Sequence, residues 1–169
     1  MEAFLDGATP CEIFRRLIVG SEGTLAFIVE AVFDTIPDDQ FRLTSFMIFP
    51  DMYEACAAVK PFVDSGAAAV ELLDRASLRA VEGKPGVPDR WKALPDTATA
   101  LLAEYRASTD AARTEALRIG TETLSGLSLL EPAAFTKDPL TAAQFWNVRS
   151  GLLPSVGGAR PTGSSFILE

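Results

Sequence analysis

The run Leu25-Ala26-Phe27-Ile28-Val29-Glu30-Ala31-Val32-Phe33-Asp34-Thr35-Ile36 places apolar, β-branched and aromatic residues on both alternating faces. Such a segment reads as a strand buried on both sides, so the chain needs cover for two faces and partners for two edges. A short helix precedes it. Thr9-Pro10-Cys11-Glu12 has the form of a capping box with proline at the first helical position, which predicts a helix from Pro10 to about Ile18. Gly20 stops that helix, because glycine just past the last turn accepts the left-handed conformation that closes a C-terminus. Pro37-Asp38-Asp39 is a turn and a candidate boundary, where one pattern ends and another begins.

From Arg42 the pattern alternates. Arg42 to Phe49 reads as a strand, and a helix starts at Pro50-Asp51, runs to about Ser65 and ends at Gly66. Ala67 to Val70 reads as a short strand, and Glu71 to Glu82 as a helix, with Leu72, Leu73, Ala76, Leu78 and Val81 at mostly helical spacing. Prolines and glycines make Lys84 to Pro95 a loop with a turn near Trp91. Thr97 to Ala107 is a strand, Ala111 to Leu124 a helix closed by Ser125-Gly126, and Leu127 to Leu130 a strand. Pro139 opens a helix carrying Phe145, Trp146, Val148 and Arg149 that Pro154 closes, and Ser165 to Glu169 is extended. This order predicts an α+β fold of ferredoxin-like kind, a mostly antiparallel sheet with helices packed on one face.

Charge and composition exclude several functions. The net charge of -8 repels phosphate backbones and anionic lipid, so nucleic acid and membrane surfaces are poor partners. The chain has no histidine, which removes Ser-His and Cys-His nucleophiles and the commonest metal ligand, and no metal site is expected. Cys11 and Cys56 lack CxxC spacing and are expected to be reduced, buried thiols. The most apolar stretch is interrupted by Gly20 to Thr24 and by Glu30, so no membrane span is expected. Met1 to Asp6 is acidic where a targeting peptide is basic, and the expected location is the cytoplasm.

Gly20-Ser21-Glu22-Gly23-Thr24 is the most informative short segment. Two glycines and two small hydroxyl residues let backbone amides approach a ligand, although by spacing alone a structural turn is the favoured reading, since most glycine-rich connections only turn the chain. It is neither a P-loop nor a strand-to-helix dinucleotide turn. The longer run Arg16 to Ile28, with Gly-Ser-Glu-Gly-Thr-Leu-Ala at its centre, resembles the end of the FAD-binding domain in FAD-linked oxidases of the vanillyl-alcohol oxidase type. Ala26 stands where that family usually has glycine. Glu71-Leu72-Leu73-Asp74-Arg75 and the segment Phe145 to Gly157 resemble the C-terminal, or cap, domain of the same enzymes. The likeness is strongest to D-lactate dehydrogenase relatives, in the subgroup fused to an iron-sulfur domain.

This resemblance implies that residues 1–36 form the C-terminal end of a FAD-binding domain, as a helix-strand tail, and that residues 37–169 form an incomplete cap, or substrate, domain. It implies FAD as cofactor, lined by Glu22, Gly23, Thr24, Leu25, Ala26 and Ile28, with Gly20 and Ser21 shaping the turn. Arg149 would hold the carboxylate of a D-2-hydroxy acid such as D-lactate, glycolate or 2-hydroxyglutarate, with Arg160 as a second substrate contact beside Thr162. The hydride would pass to flavin, the hydroxyl proton to a histidine outside this chain, and the electrons to an iron-sulfur domain or another acceptor. The chain then reads as an internal fragment of a flavin-dependent dehydrogenase, inactive by itself.

The residues themselves also admit plainer readings. Arg149 sits in a last helical turn, where an arginine serves helix carbonyls. Glu71 and Asp74, three apart on the expected helix, are a solvated first turn before they are an acid-base pair, and Phe145 and Trp146 default to core. The rival to the enzyme is a non-catalytic α+β binding or assembly module, forming homo-oligomers through exposed strand edges.

Overall fold

The computed structural model describes residues 9–85 and 87–151, which divide into two compact units between Pro37 and Asp38. In the first, helix α1 (Pro10–Ile18) begins as its sequence dictates. Thr9 Oγ1 accepts the Glu12 amide while Glu12 Oε2 accepts the Thr9 amide at 2.8 Å, and Pro10 occupies the first turn. The expected strand from Leu25 to Ile36 does not form, and its side chains stand exposed, with Phe27 at 91% and Val32 at 92%. A strand buried on both faces needs hydrogen-bonded neighbours, and residues 25–36 have no ladder among the described residues.

The second unit is built on three strands, β1 (Phe41–Phe49), β2 (Ala69–Leu73) and β3 (Thr99–Ala107), in the order β1-β3-β2. Both outer strands run antiparallel to β3, with Leu43 opposite Tyr105 and Leu73 opposite Ala100. Helix α2 (Met52–Asp64) therefore carries the chain from β1 to a parallel β2 and leaves the slot that β3 fills, the split crossover of a ferredoxin-like fold. Its N-cap Asp51 accepts the Glu54 amide at 2.9 Å, and Gly66 turns the chain away with φ +91°.

The expected helix from Glu71 begins later. Glu71 to Leu73 belong to β2, which pairs with β3, and Asp74 caps a shorter α3 (Arg75–Val81) by accepting the Ser77 amide at 2.7 Å. Leu73 is buried and Leu72 exposed, an alternation of period two that the local leucine spacing disguised. Glu71 and Asp74 thus share no helix face. The expected strand from Leu127 to Leu130 is likewise reduced to a few bonds along the free edge of β1. The Leu130 amide donates to the Ile48 carbonyl at 2.8 Å, and Thr44 and Thr136 exchange bonds of 3.3 and 2.9 Å. Pro132, lacking an N–H, interrupts any continuous ladder between these contacts.

Helices α4 (Asp110–Ser125) and α5 (Pro139–Ser150) start at the caps Thr109 and Asp138. Leu43, Met47, Phe49, Leu101, Ala103 and Tyr105 face α2 and α4, which is the one-sided helical layer expected from sequence. The opposite face is also covered. Phe46, Ile48, Leu73, Ala100 and Leu102 pack with Leu78 and Val81 of α3, Val148 of α5 and Trp91. Trp91 arrives there on a 3-10 turn (Asp89–Ala93), its ring stacked on Phe46 at a 4.9 Å centroid separation. Arg75 ties this side together, donating to Glu82 Oε1 at 2.6 Å and to the Trp91 and Leu94 carbonyls.

Both cysteines are exposed, not buried as expected, because Cys11 and Cys56 lie on outward faces of α1 and α2. Among the described residues no helix is long and apolar enough to cross a membrane, and no cluster of three metal-ligating side chains occurs. Pro154 and residues 165–169 lie outside the described residues.

Candidate functional site

The glycine-rich turn follows α1 directly. The Ser21 amide donates to the Ile18 carbonyl at 3.1 Å, and the Thr24 amide and hydroxyl both donate to the Ser21 carbonyl, at 2.9 and 2.6 Å. Gly20 and Gly23 have φ of +81° and +76°, and Glu22 between them has +50°, so the left-handed region is used repeatedly in a short span. A Cβ at either glycine would meet nothing within 4 Å, so backbone conformation, not crowding within the chain, requires glycine at both positions. The turn leaves its backbone open to an approaching group, flanked by exposed Leu25 and Ile28 and half-buried Ala26. These features allow a flat ligand to approach the backbone at the two glycines and to meet apolar side chains beside them.

In the second unit the sheet face opposite α2 and α4 carries two carboxylates that reach α5. Glu104, in the centre of β3, is 1% exposed. Its Oε2 accepts Trp146 Nε1 at 2.7 Å and Thr44 Oγ1 at 3.2 Å, and its Oε1 accepts Arg106 Nε at 2.9 Å. A buried carboxylate with three donors is a satisfied one, and it sets the rotation of α5 through Trp146. Three residues further along α5, Arg149 Nε donates to Glu71 Oε2 at 3.1 Å. This pair is only partly buried, with side-chain exposures of 39% and 35%. Among the described residues the bond engages Nε alone, which leaves the two terminal nitrogens of the guanidinium as a fork suited to a second carboxylate.

The sequence places Arg149 on a helix, and the fold adds what orients it: Glu71, held on a strand of the facing sheet. Arg160 and Thr162 lie outside the described residues. Glu104 and Thr44 escape sequence analysis. The only signal for Glu104 is a carboxylate inside the otherwise apolar Ala100-Leu101-Leu102-Ala103-Glu104-Tyr105, and its meaning depends on which face of β3 is covered. Asp138, at the start of α5, has its carboxyl held below the usual range, first by the Thr141 hydroxyl and then by the Thr141 amide.

The family of FAD linked oxidases, C-terminal domain, matches residues 39–168 of the chain. A solved structure of alkyldihydroxyacetonephosphate synthase is similar in fold, with a TM-score of 0.51 and 18% sequence identity over 85% of this chain. The chain spans 28% of the length of that protein. No curated protein sequence matches it.

Proposed function

The chain belongs to the FAD-linked oxidases through their C-terminal domain, and on that footing we propose that it is the substrate-side part of a flavin-dependent oxidoreductase acting on a small D-2-hydroxy acid. In this reading residues 1–36 end the FAD-binding domain and residues 37–169 are the cap. The observation that carries the substrate class is Arg149. Its guanidinium is anchored at Nε by Glu71 and presents its remaining donors from a partly exposed position, an arrangement suited to bidentate recognition of a carboxylate. Glu71 orients, Trp146 and Glu104 fix the helix that carries the arginine, and Arg160 is the second arginine of this reading.

Gly20, Ser21, Glu22, Gly23, Thr24, Leu25, Ala26 and Ile28 would hold FAD, through the close backbone approach that open space around Gly20 and Gly23 allows and through apolar side chains, the Ser21 and Thr24 amides being engaged within the turn itself. Bound FAD supplies the hydride acceptor. The substrate hydroxyl proton goes to a histidine outside this chain, which has none, and the electrons go on to an iron-sulfur domain or similar acceptor.

The test is an NMR titration of the arginine Nε–H signals with D-lactate, glycolate and D-2-hydroxyglutarate, against chloride at matched ionic strength. A saturable shift of the Arg149 signal is expected, with saturable shifts of the Val148 and Ser150 amides that Arg149→Lys should abolish. Absence of saturation with all three acids, or an unchanged response in Arg149→Lys, refutes the assignment. Turnover of any of these acids by the chain supplied with FAD would overturn its reading as inactive alone.

A further inference from the structure

A second cleft lies at the other end of α5 from Arg149, between that helix, the start of β1 and the first turn of α4. Its volume is about 560 Å³, within the range of small-molecule sites. Three cations from three separate elements line it: Arg42 of β1, Arg113 of α4, and Lys137 in the segment leading to α5. Among the described residues the one carboxylate in the lining is Glu104, whose charge already faces Arg106 and whose two oxygens are taken by Arg106, Trp146 and Thr44. In a chain of net charge -8, this wall is locally cationic.

The donors there outnumber the acceptors. Arg113 Nε is buried without an acceptor among the described residues, although the far end of the same guanidinium pairs with Asp110 and its carbon lies 4.6 Å from the centroid of the Phe41 ring. Lys137 and Asn147 are exposed, and neither side chain makes a hydrogen bond or ion pair among the described residues. Arg42 is paired through NH2 with Asp38, which is 83% exposed, and an exposed pair of that kind gives way readily to a better acceptor. Aromatic Trp146 and Phe41 supply apolar wall for a carbon skeleton. Of these donors only Arg113 Nε is buried, where a missing acceptor is costly, while Lys137, Arg42 and Asn147 stand exposed to an arriving ligand.

We infer that this cleft binds a small oxyanion, a phosphate or carboxylate group, through Arg113, Lys137, Arg42 and Asn147. The site is separate from the arginine assigned to the hydroxy acid, and it needs no flavin. The test is a ¹⁵N-¹H titration of the full chain with inorganic phosphate and, in parallel, with succinate, at constant ionic strength. Saturable shifts at the Trp146 indole and at the Ala142 and Ala143 amides are expected. Lys137→Gln and Arg113→Gln should each weaken the affinity about tenfold, the loss of one charged hydrogen bond, while Arg118→Gln, altering a residue paired with Glu115 and Glu122, leaves it unchanged.

Saturation by phosphate alone identifies a phosphoryl ligand, and saturation by succinate alone a carboxylate. Shifts that grow linearly with both probes overturn the inference, as does an affinity unchanged in Lys137→Gln. That exposed substitution carries the test even where Arg113→Gln disturbs packing on Phe41.

Discussion

Glu104 offers the sharpest test of how the cap unit is held together. Its carboxylate is fully buried and receives donors from three directions: Trp146 and Thr44 on one oxygen, Arg106 on the other. Glu104→Gln keeps the shape but replaces one acceptor oxygen with a donor. Keeping the amide oxygen toward Trp146 and Thr44 turns the NH₂ group toward Arg106 Nε, donor against donor. Arg106 is 30% exposed and can move to water, so the loss amounts to one charged hydrogen bond, about 2 kcal/mol. For a unit of this size that lowers the melting midpoint by about 7 °C. Glu104→Ala should cost more, about 3 to 5 kcal/mol, because it opens a cavity and strands Thr44 Oγ1 and Trp146 Nε1 as buried donors. Urea unfolding followed by tryptophan fluorescence measures both, and near-ultraviolet circular dichroism reports whether Trp146 loses its fixed environment. A Glu104→Gln variant within about 0.5 kcal/mol of the parent, or an alanine variant no less stable than the glutamine one, would refute this account of the buried cluster.

Two further predictions concern packing and pH. A Cβ at Gly120 on α4 would stand 2.9 Å from ring carbons of both Phe135 and Tyr105, which are locked edge to face, so Gly120→Ala should lower stability by about 1 kcal/mol despite its better helix propensity. Thermal unfolding of Gly120→Ala checks this, and a variant as stable as the parent would show that the rings yield freely. Because the folded-state carboxyl of Asp138 lies below its usual 3.8, its cap on α5 contributes fully above that pH and is lost as pH falls through the lower, folded value. The Thr141 amide resonance should therefore titrate with a midpoint below 3.8, and Asp138→Asn should abolish the titration while α5 persists; a midpoint at or above 3.8 contradicts the cap geometry.

What was legible in the sequence is what short-range physics controls. The capping box of α1, the aspartate cap of α2, the proline start of α5 and the strands β1 and β3 are set by side chains acting on neighbouring backbone, and they form where the sequence predicts. The positive φ angles of Gly20 and Gly23 belong to the same class, since a turn needing them admits few other residues. Tertiary structure decided the rest. Leu72 and Leu73 suit a helix by spacing, but the open edge of β3 draws them into β2, because pairing an exposed edge satisfies more backbone groups than one additional helical turn. The apolar run from Leu25 to Ile36 has the composition of a strand, but among the described residues no partner pairs with it. The site follows the same division: an arginine on a helix is visible in the sequence, whereas Glu71 beneath it, Glu104 behind Trp146 and the three cations of the second cleft come from elements far apart in the chain. Their roles exist only because the sheet brings β1, β2 and β3 under α5, and side-chain chemistry at that distance is set by packing, not by spacing.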